Sequence, residues 1–444
     1  MPIKIQKKYV IQTILLFLFF LFWNLIINVL QNDEIWNYGF AHNIYSGLVP
    51  YKDFNMVVTP LYPFIMSLPF HLFGSSILLF HIENVVILVA SIWFIYYFLK
   101  DKIYYVLLFL MLFSNSLTSP GYNLFLIFLF YFILYLEKEK KNDYLIGFLI
   151  ALSFLTKQSI GLFFLFPSLY YLKSDGKRII KRLIGFIVPC LIFLFYLILS
   201  HSLSSFFDLC LFGLFDFGEK NGSFKIGIVF FVLYFIICFY LIRKDKKNLN
   251  HYYVLAFASM MIPIFDFYHI AMTYLVLFIH LLFIYDFKIK IPIKPIFYCS
   301  VMGIGMIMFF TYHSGYTITY PNDVSHFQYR MIREDSLSFT HSIVHYIQEH
   351  PNQRYLFVVS GGYYFRLVTD TKMSYLDLIN YGNFGYHGTE KLIDMIQKNK
   401  DAVFIISEGD LSDACQADKK AIRYIIENGE KIDSIQIYDF YVLK

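Results

Sequence analysis

The sequence predicts a polytopic α-helical membrane domain followed by a small extracytoplasmic α/β domain. Three observations carry that prediction. Apolar runs near 20 residues recur through positions 1–312, the length an α-helix needs to cross a bilayer. Only 16% of the 444 residues are charged and 58% are hydrophobic, where a soluble domain carries about 25% charged residues. After residue 312 the pattern changes to short apolar strands and amphipathic helices.

Candidate spans are 9–30, 76–99, 103–117, 121–136, 144–156, 159–172, 183–200, 224–242, 252–268, 270–287 and 295–312, eleven in all. The first run, Tyr9–Leu30, is too long for a signal-peptide core and no small-residue cleavage site follows it, so it reads as an uncleaved span. Lys4, Lys7 and Lys8 place the N-terminus in the cytoplasm. Alternating from there, the inside segments collect 20 Lys/Arg, including the clusters Lys138–Lys141, Lys173–Arg182, Arg243–Lys247 and Lys288–Lys294. The outside loops before residue 313 collect four: Lys52, Lys157, Lys220 and Lys225. That asymmetry is the positive-inside signature. It also explains the net charge of +5, which divides into +9 for residues 1–312 and −4 for residues 313–444. The basic excess reports topology and not a nucleic-acid footprint. Five cysteines without a CxxC offer no metal or redox framework.

The charge count decides how residues 144–172 run. One long helix would put the Lys138 and Lys177 clusters on opposite faces; two short helices meeting at Lys157 keep both inside. Each half rises only about 20 Å against a hydrocarbon core of about 30 Å. Lys157 is therefore expected to sit recessed below the outer surface. Residues 103–136 form a second hairpin, broken at "SNSLTSPGYN" by Pro120 and Gly121. Two shallow hairpins side by side imply a cavity open to the outer leaflet. Beyond residue 312, "RYLFVVS" and "DAVFIIS" read as buried strands. "SFTHSIVHYIQEH", "TEKLIDMIQKN" and "ADKKAIRYIIENG" read as amphipathic helices. They make an outer α/β domain starting near Ser336. "SGGYY" (Ser360–Tyr364) is a weak phosphate-loop signal.

The first outer loop, residues 31–75, carries the densest chemistry. Asn32 or Asp33 is a candidate N-cap for a short helix closed by Gly47. On it Glu34, Tyr38, His42 and Tyr45 share a face. "LYPFIMSLPFHLFG" is too short to span and is expected to lie in the interface or re-enter. An ionised carboxylate at a helix N-terminus is a ready base; the plainer account is that Asp33 and Glu34 only cap a juxtamembrane helix. His81 and Glu83 near the outer end of the second span, Lys157, and "DFYH" (Asp266–His269) face the same compartment. Charges at membrane depth point to function or to structural pairing, for example Glu83 with Lys157. An anionic lipid headgroup could enter this recess sideways, its phosphate held by Lys157 with His269 or His81.

"DEIWNYGFAHNIYSGLVPYKDFNMVVTPLYPFIMSLPFHLFG" resembles the first outer loop of bacterial GT-C type glycosyltransferases, relatives of protein mannosyltransferases and of the aminoarabinose transferase acting on lipid A. The matching features are Asp33–Glu34, the helix 35–46, Gly47–Pro50, Asp53, Thr59–Pro63 and Leu72–Gly74. "FLTKQSIGLFFL" (Phe154–Leu165) is similar to the family's Lys-containing hairpin, and "DFYH" loosely matches its later outer-loop motif. The family often has His before two prolines, where this chain has Thr59-Pro60-Leu61-Tyr62-Pro63. The resemblance implies a GT-C type bundle of about eleven spans with juxtamembrane helices. It implies a transferase that moves a sugar, with inversion, from a polyprenyl-phosphate donor to an envelope glycan, lipid or protein. The reaction would take place on the outer face of the bacterial cytoplasmic membrane. In that reading Asp33 is the base and Glu34 the next candidate. Asp53 orients the acceptor or helps hold a metal ion. Lys157, assisted by His269, holds the donor phosphate, and Tyr38, His42, His81, Glu83 and Asp266 stand behind them. A divalent ion (Mg or Mn) is optional, since some relatives use one and others do not. Rival readings are an envelope polysaccharide polymerase or ligase, a lipid-linked glycan transporter or flippase, and a non-catalytic scaffold. A polymerase would centre on an Arg/His-rich late loop, and a transporter would favour internal repeats; neither is visible in the sequence.

Overall fold

The computed structural model describes residues 7–28, 30–113, 117–214, 216–217, 224–285, 293–313, 315–319, 324–371, 384–412 and 417–444. Lys4, Lys220, Lys288, Lys290, Cys415 and the start of the "SNSLTSPGYN" turn lie outside those residues.

A helix stands at each of the eleven expected positions. They are α1 (Lys7–Phe22, extended by a π-helical turn Trp23–Ile27), α5 (Ile77–Leu99), α6 (Ile103–Leu112), α7 (Tyr122–Lys138), α8 (Asp143–Thr156), α9 (Gln158–Phe163), α10 (Gly176–Leu199), α12 (Phe224–Lys244), α13 (Leu249–Phe257), α14 (Phe267–Ile284) and α15 (Ile293–His313). Between them lie α2 (Asn32–Tyr45), α3 (Leu61–Ser67), α4 (Phe70–Phe73) and α11 (Leu203–Phe207). Among the described residues five stretches are long and apolar enough to cross a membrane: Tyr9–Ile26, Ile77–Leu112, Gly176–Leu199, Ile226–Lys244 and Phe267–Ile284. Their outer faces are apolar, as on α10, where Ile187, Leu191, Ile192, Phe195 and Leu199 are exposed. A surface of that kind suits lipid rather than water.

Two of the expected spans are shorter than their apolar runs. The 159–172 run is helical only to Phe163 and continues as a 3₁₀ segment, Phe166–Lys173. Pro167 has no N–H to continue the helical ladder. The 252–268 run stops at Phe257, turns through a 3₁₀ segment Ala258–Met261 and unwinds to Asp266; Pro263 has the same effect. Such backbone is tolerated among apolar helices where protein or a cavity covers it. The α8–α9 break falls at Lys157, which is extended (φ −150, ψ 112). The tip docks on the first loop: Thr59 Oγ1 donates to the Phe154 carbonyl at 2.8 Å, and Gln158 Nε2 donates to the Val57 carbonyl at 3.2 Å. In the interfacial segment α3–α4, Leu68, Leu72 and Phe73 are exposed, as expected of a stretch lying against lipid.

After α15 comes a two-stranded antiparallel pair, β1 (Tyr316–Ile318) with β2 (Met331–Arg333). The rest of the chain forms α16 (Glu334–Glu349), β3 (Tyr355–Phe357), α17 (Gly362–Val368), α18 (Gly388–Lys398), β4 (Val403–Ser407), α19 (Lys419–Asn428), β5 (Gly429–Ile435) and β6 (Tyr438–Leu443). The sheet order is β3-β4-β6-β5, with β3 parallel to β4 and the other pairs antiparallel. The two expected strands and three expected helices are all present. The β5–β6 hairpin is additional; β5 is mostly exposed and polar, so no apolar run marks it. Val403, Ile405 and Phe440 join the core that runs on from the membrane helices, while Phe404, Ile406 and Tyr441 face a second core with Leu392, Ile396, Ile422 and Ile425. The alternation of side chains along each strand produces this division.

The two parts meet on α2. At Gly39 a Cβ would lie 2.3 Å from the Tyr363 ring, so only glycine admits that ring. One turn on, Asn43 Nδ2 donates to the Tyr363 hydroxyl at 2.6 Å. The second half of "SGGYY" thus docks the C-terminal domain on the segment that follows α1.

Candidate active site

The site is organised by α2. Gln31, extended, is its N-cap residue and makes no side-chain cap. Asn32 and Asp33 therefore lie inside the first turn rather than on the cap, where their side chains need not bond the helix backbone. The helix ends at Tyr45, and Gly47 turns the chain at φ +84. Adjacent carboxylates on a helix point about 100° apart, so Asp33 and Glu34 enter different environments.

Glu34 is buried and fully engaged. His81 Nε2 lies 2.7 Å from its Oε1 and Arg330 Nη2 donates to its Oε2 at 3.0 Å. Burial raises the Glu34 carboxyl, but Arg330 and His81 outweigh it and hold the group below its usual range. Arg330 is itself wholly buried. Its Nη1 donates to the carbonyls of Asn24, Leu25 (2.9 Å) and Asn28 (3.1 Å), where α1 ends. This residue, from the segment just before β2, clamps the α1–α2 junction. Its sequence context, "FQYRMIRED", gave no hint of it.

Asp33 faces the other way, into a recess also lined by Gln31, Asn37, Ser119, Pro120, Gly121, Tyr122, Asn123 and Tyr268. Its carboxylate is accessible and, among the described residues, takes no hydrogen bond or ion pair. Protein packed around the open recess thins the water about the Asp33 carboxylate, and that desolvation raises the carboxyl above its usual value. His269 and Lys157 pull it down, and Asp266 adds to the rise. Lys157 is buried, with Nζ 3.2 Å from the Met260 carbonyl of the 3₁₀ segment and 5.9 Å from the centre of the Tyr122 ring. Asp266 caps α14, accepting from the His269 N–H at 2.8 Å and meeting His269 Nδ1 at 2.7 Å.

The structure thus brings Lys157, Asp266 and His269 close enough to Asp33 for their charges to act on its carboxylate. Tyr122, Asn123 and Tyr268 join them; the "SPGYN" and "DFYH" breaks were the available signals. The remaining candidates lie elsewhere. His81 serves Glu34 and does not face a phosphate site. Glu83 does not pair with Lys157; its Oε1 is buried without a hydrogen bond. Asp53 Oδ2 accepts from the Val49 N–H at 2.7 Å and closes the 49–54 turn. Tyr38 and His42 point at the outer domain: both reach Ser75 Oγ at 2.9 Å, and the Tyr38 hydroxyl also meets His326 Nδ1 at 2.9 Å. Among the described residues no three His, Cys, Asp or Glu side chains are grouped so as to hold a metal ion.

Beside the recess an apolar groove of about 680 Å³ runs between α6, α12 and α14, lined by Phe109, Phe113, Phe230, Ile270 and Tyr274. Phe265 and Phe267, which flank Asp266, form its near end. A charged recess and an aromatic groove therefore share one border.

No family model and no curated protein matches the sequence. The fold does have solved counterparts. ArnT from Cupriavidus metallidurans bound to undecaprenyl phosphate superposes with a TM-score of 0.55 at 8% identity, covering 98% of each chain. ArnT from Cupriavidus metallidurans in the apo state gives a TM-score of 0.55 at 10% identity, covering 98% of this chain and 97% of that one. The chain has the GT-C fold. The match spans both the helical part and the C-terminal α/β part of the chain. At this identity the likeness concerns the fold alone.

Proposed function

We propose that the protein transfers a sugar from a polyprenyl-phosphate donor to a cell-envelope acceptor on the outer face of the cytoplasmic membrane, with Asp33 as the base. One observation carries the reading. Of two adjacent carboxylates, Glu34 is consumed by Arg330 and His81, while Asp33 lines an open recess, takes no hydrogen bond among the described residues, and lies close enough to Lys157 and His269 to feel their charges. The aromatic groove at the border suits a polyprenyl chain, and the fold counterpart ArnT binds undecaprenyl phosphate.

In this mechanism Asp33 takes the proton of an acceptor hydroxyl. The freed oxygen pair forms a bond to the anomeric carbon as the bond from that carbon to the phosphate oxygen breaks. The electron pair leaves on the lipid phosphate, and the single displacement inverts the centre. A phosphate leaves without protonation, so one base suffices where a glycosidase needs two carboxylates. Lys157 and His269 offset the charge that grows on the departing phosphate. Asp33 afterwards returns its proton to water.

The test is mass spectrometry of envelope glycans from a deletion strain complemented with wild type or Asp33→Asn. Loss of one sugar with the variant at wild-type protein level supports the reading. Full restoration by Asp33→Asn removes Asp33 as the base.

A further inference from the structure

A second cavity, of about 310 Å³, lies on the opposite side of the α2 N-terminus, between that helix and the outer domain. It reaches the lower bound of small-molecule sites, about 300–1,000 Å³. One wall is a run of rings from the outer domain. Tyr364 adjoins Phe365 (centroids 5.5 Å), and Phe365 meets Tyr438 edge-on (5.1 Å). Ser336 and Thr340, both hydrogen-bonded, line the cleft together with two further neutral polar residues, Asn32 from α2 and Ser360 from "SGGYY". Neither side chain has a hydrogen-bond partner among the described residues; the Ser360 backbone N–H is held separately by Asp410 at 2.9 Å. Gly361, at φ +78, lets the loop approach α2, its Cβ direction ending 3.9 Å from Asn32 Oδ1.

This lining selects a class of ligand. Arg333 is the one charged residue in it, and Asp335 pairs with that guanidinium at 2.6 Å, so an anion finds no uncommitted cation. A hydrocarbon would leave the Asn32 amide and the Ser360 hydroxyl unsatisfied. A sugar ring meets both demands, stacking its C–H face on the aromatic wall and offering hydroxyls to the two polar groups. The cleft also adjoins the recess: Asn32 lines the cleft while its chain neighbours Gln31 and Asp33 line the recess.

We infer that this cleft binds a neutral saccharide, the sugar portion of the acceptor. The inference rests on the transferase reading for its role but not for its binding chemistry. It assigns the outer domain the task of selecting the acceptor, and it absorbs "SGGYY" as a saccharide loop rather than a phosphate loop.

The experiment reads binding without turnover. Full-length protein in lipid nanodiscs is titrated with neutral oligosaccharides released from the envelope of the deletion strain, using saturation-transfer NMR. Wild type is expected to saturate sugar ring protons. Tyr364→Ala is expected to weaken binding about tenfold through the lost aromatic contact. Ser360→Val, a partly exposed change that spares the fold, should weaken it as well. Absence of saccharide binding to wild type, unchanged binding in both variants, or displacement by inorganic phosphate overturns the inference. Sugar transfer without saccharide binding sinks this inference and leaves the transferase reading intact. Saccharide binding with an Asp33→Asn variant that still transfers sugar removes Asp33 as the base and leaves this inference standing.

Discussion

Replacing Arg330 by Met should be among the most damaging single changes in the protein, although the residue lies far from any recognised motif. Arg330 is 0% exposed and its partner Glu34 1%. Removing one member of a buried pair costs about 3–5 kcal/mol, because the other charge stays buried without compensation. The carbonyls of Asn24, Leu25 and Asn28 lose their donor at the same time, at about 1 kcal/mol for each that stays unsatisfied. His81 remains on Glu34 and keeps the total near the pair value. Glu34→Gln combined with Arg330→Met should cost less than the sum of the two single changes, by at least about 1 kcal/mol, because no buried charge is then stranded. The assay is thermal or denaturant unfolding of the purified full chain in one detergent, all four proteins in parallel. A single Arg330→Met variant within about 1 kcal/mol of wild type, or strict additivity in the double variant, refutes the clamp.

Asp33→Asn should lower sugar transfer by about 10²–10⁴-fold, the usual worth of a general base, with unfolding unchanged. Because burial raises the Asp33 carboxyl, activity should fall on acidification at a pH above the ordinary carboxylate range; an acid limb at or below that range counts against Asp33 as the titrating group. Lys157→Met should raise KM for the lipid-phosphate donor more than for the acceptor, measured with each varied in turn. Gly39→Val should dislodge Tyr363 and destabilise the docking of the outer domain by about 1–3 kcal/mol, as overpacking does; unaltered protease resistance of the outer domain would contradict it.

The helix positions were legible because apolar length and the Lys/Arg count are local quantities. The same rules located the break at Lys157 and the loop that carries Asp33. They overran at residues 159–172 and 252–268, where Pro167 and Pro263 end helices inside unbroken apolar runs. The 3₁₀ segment Ala258–Met261 then supplies the carbonyl that receives Lys157. Its pairing role could not be seen from hydropathy.

The sequence by itself determined the membrane class, the side of the membrane expected to carry the chemistry, and the acidic pair at the start of α2. Only the tertiary structure decided between the two acids. Their neighbours come from across the chain, Arg330 and His81 for Glu34 and Lys157, Asp266 and His269 for Asp33. One helical step of about 100° sends the first acid into an accessible recess and the second into a buried ion pair. Charge and periodicity treat the two as equivalent, and long-range packing separates them.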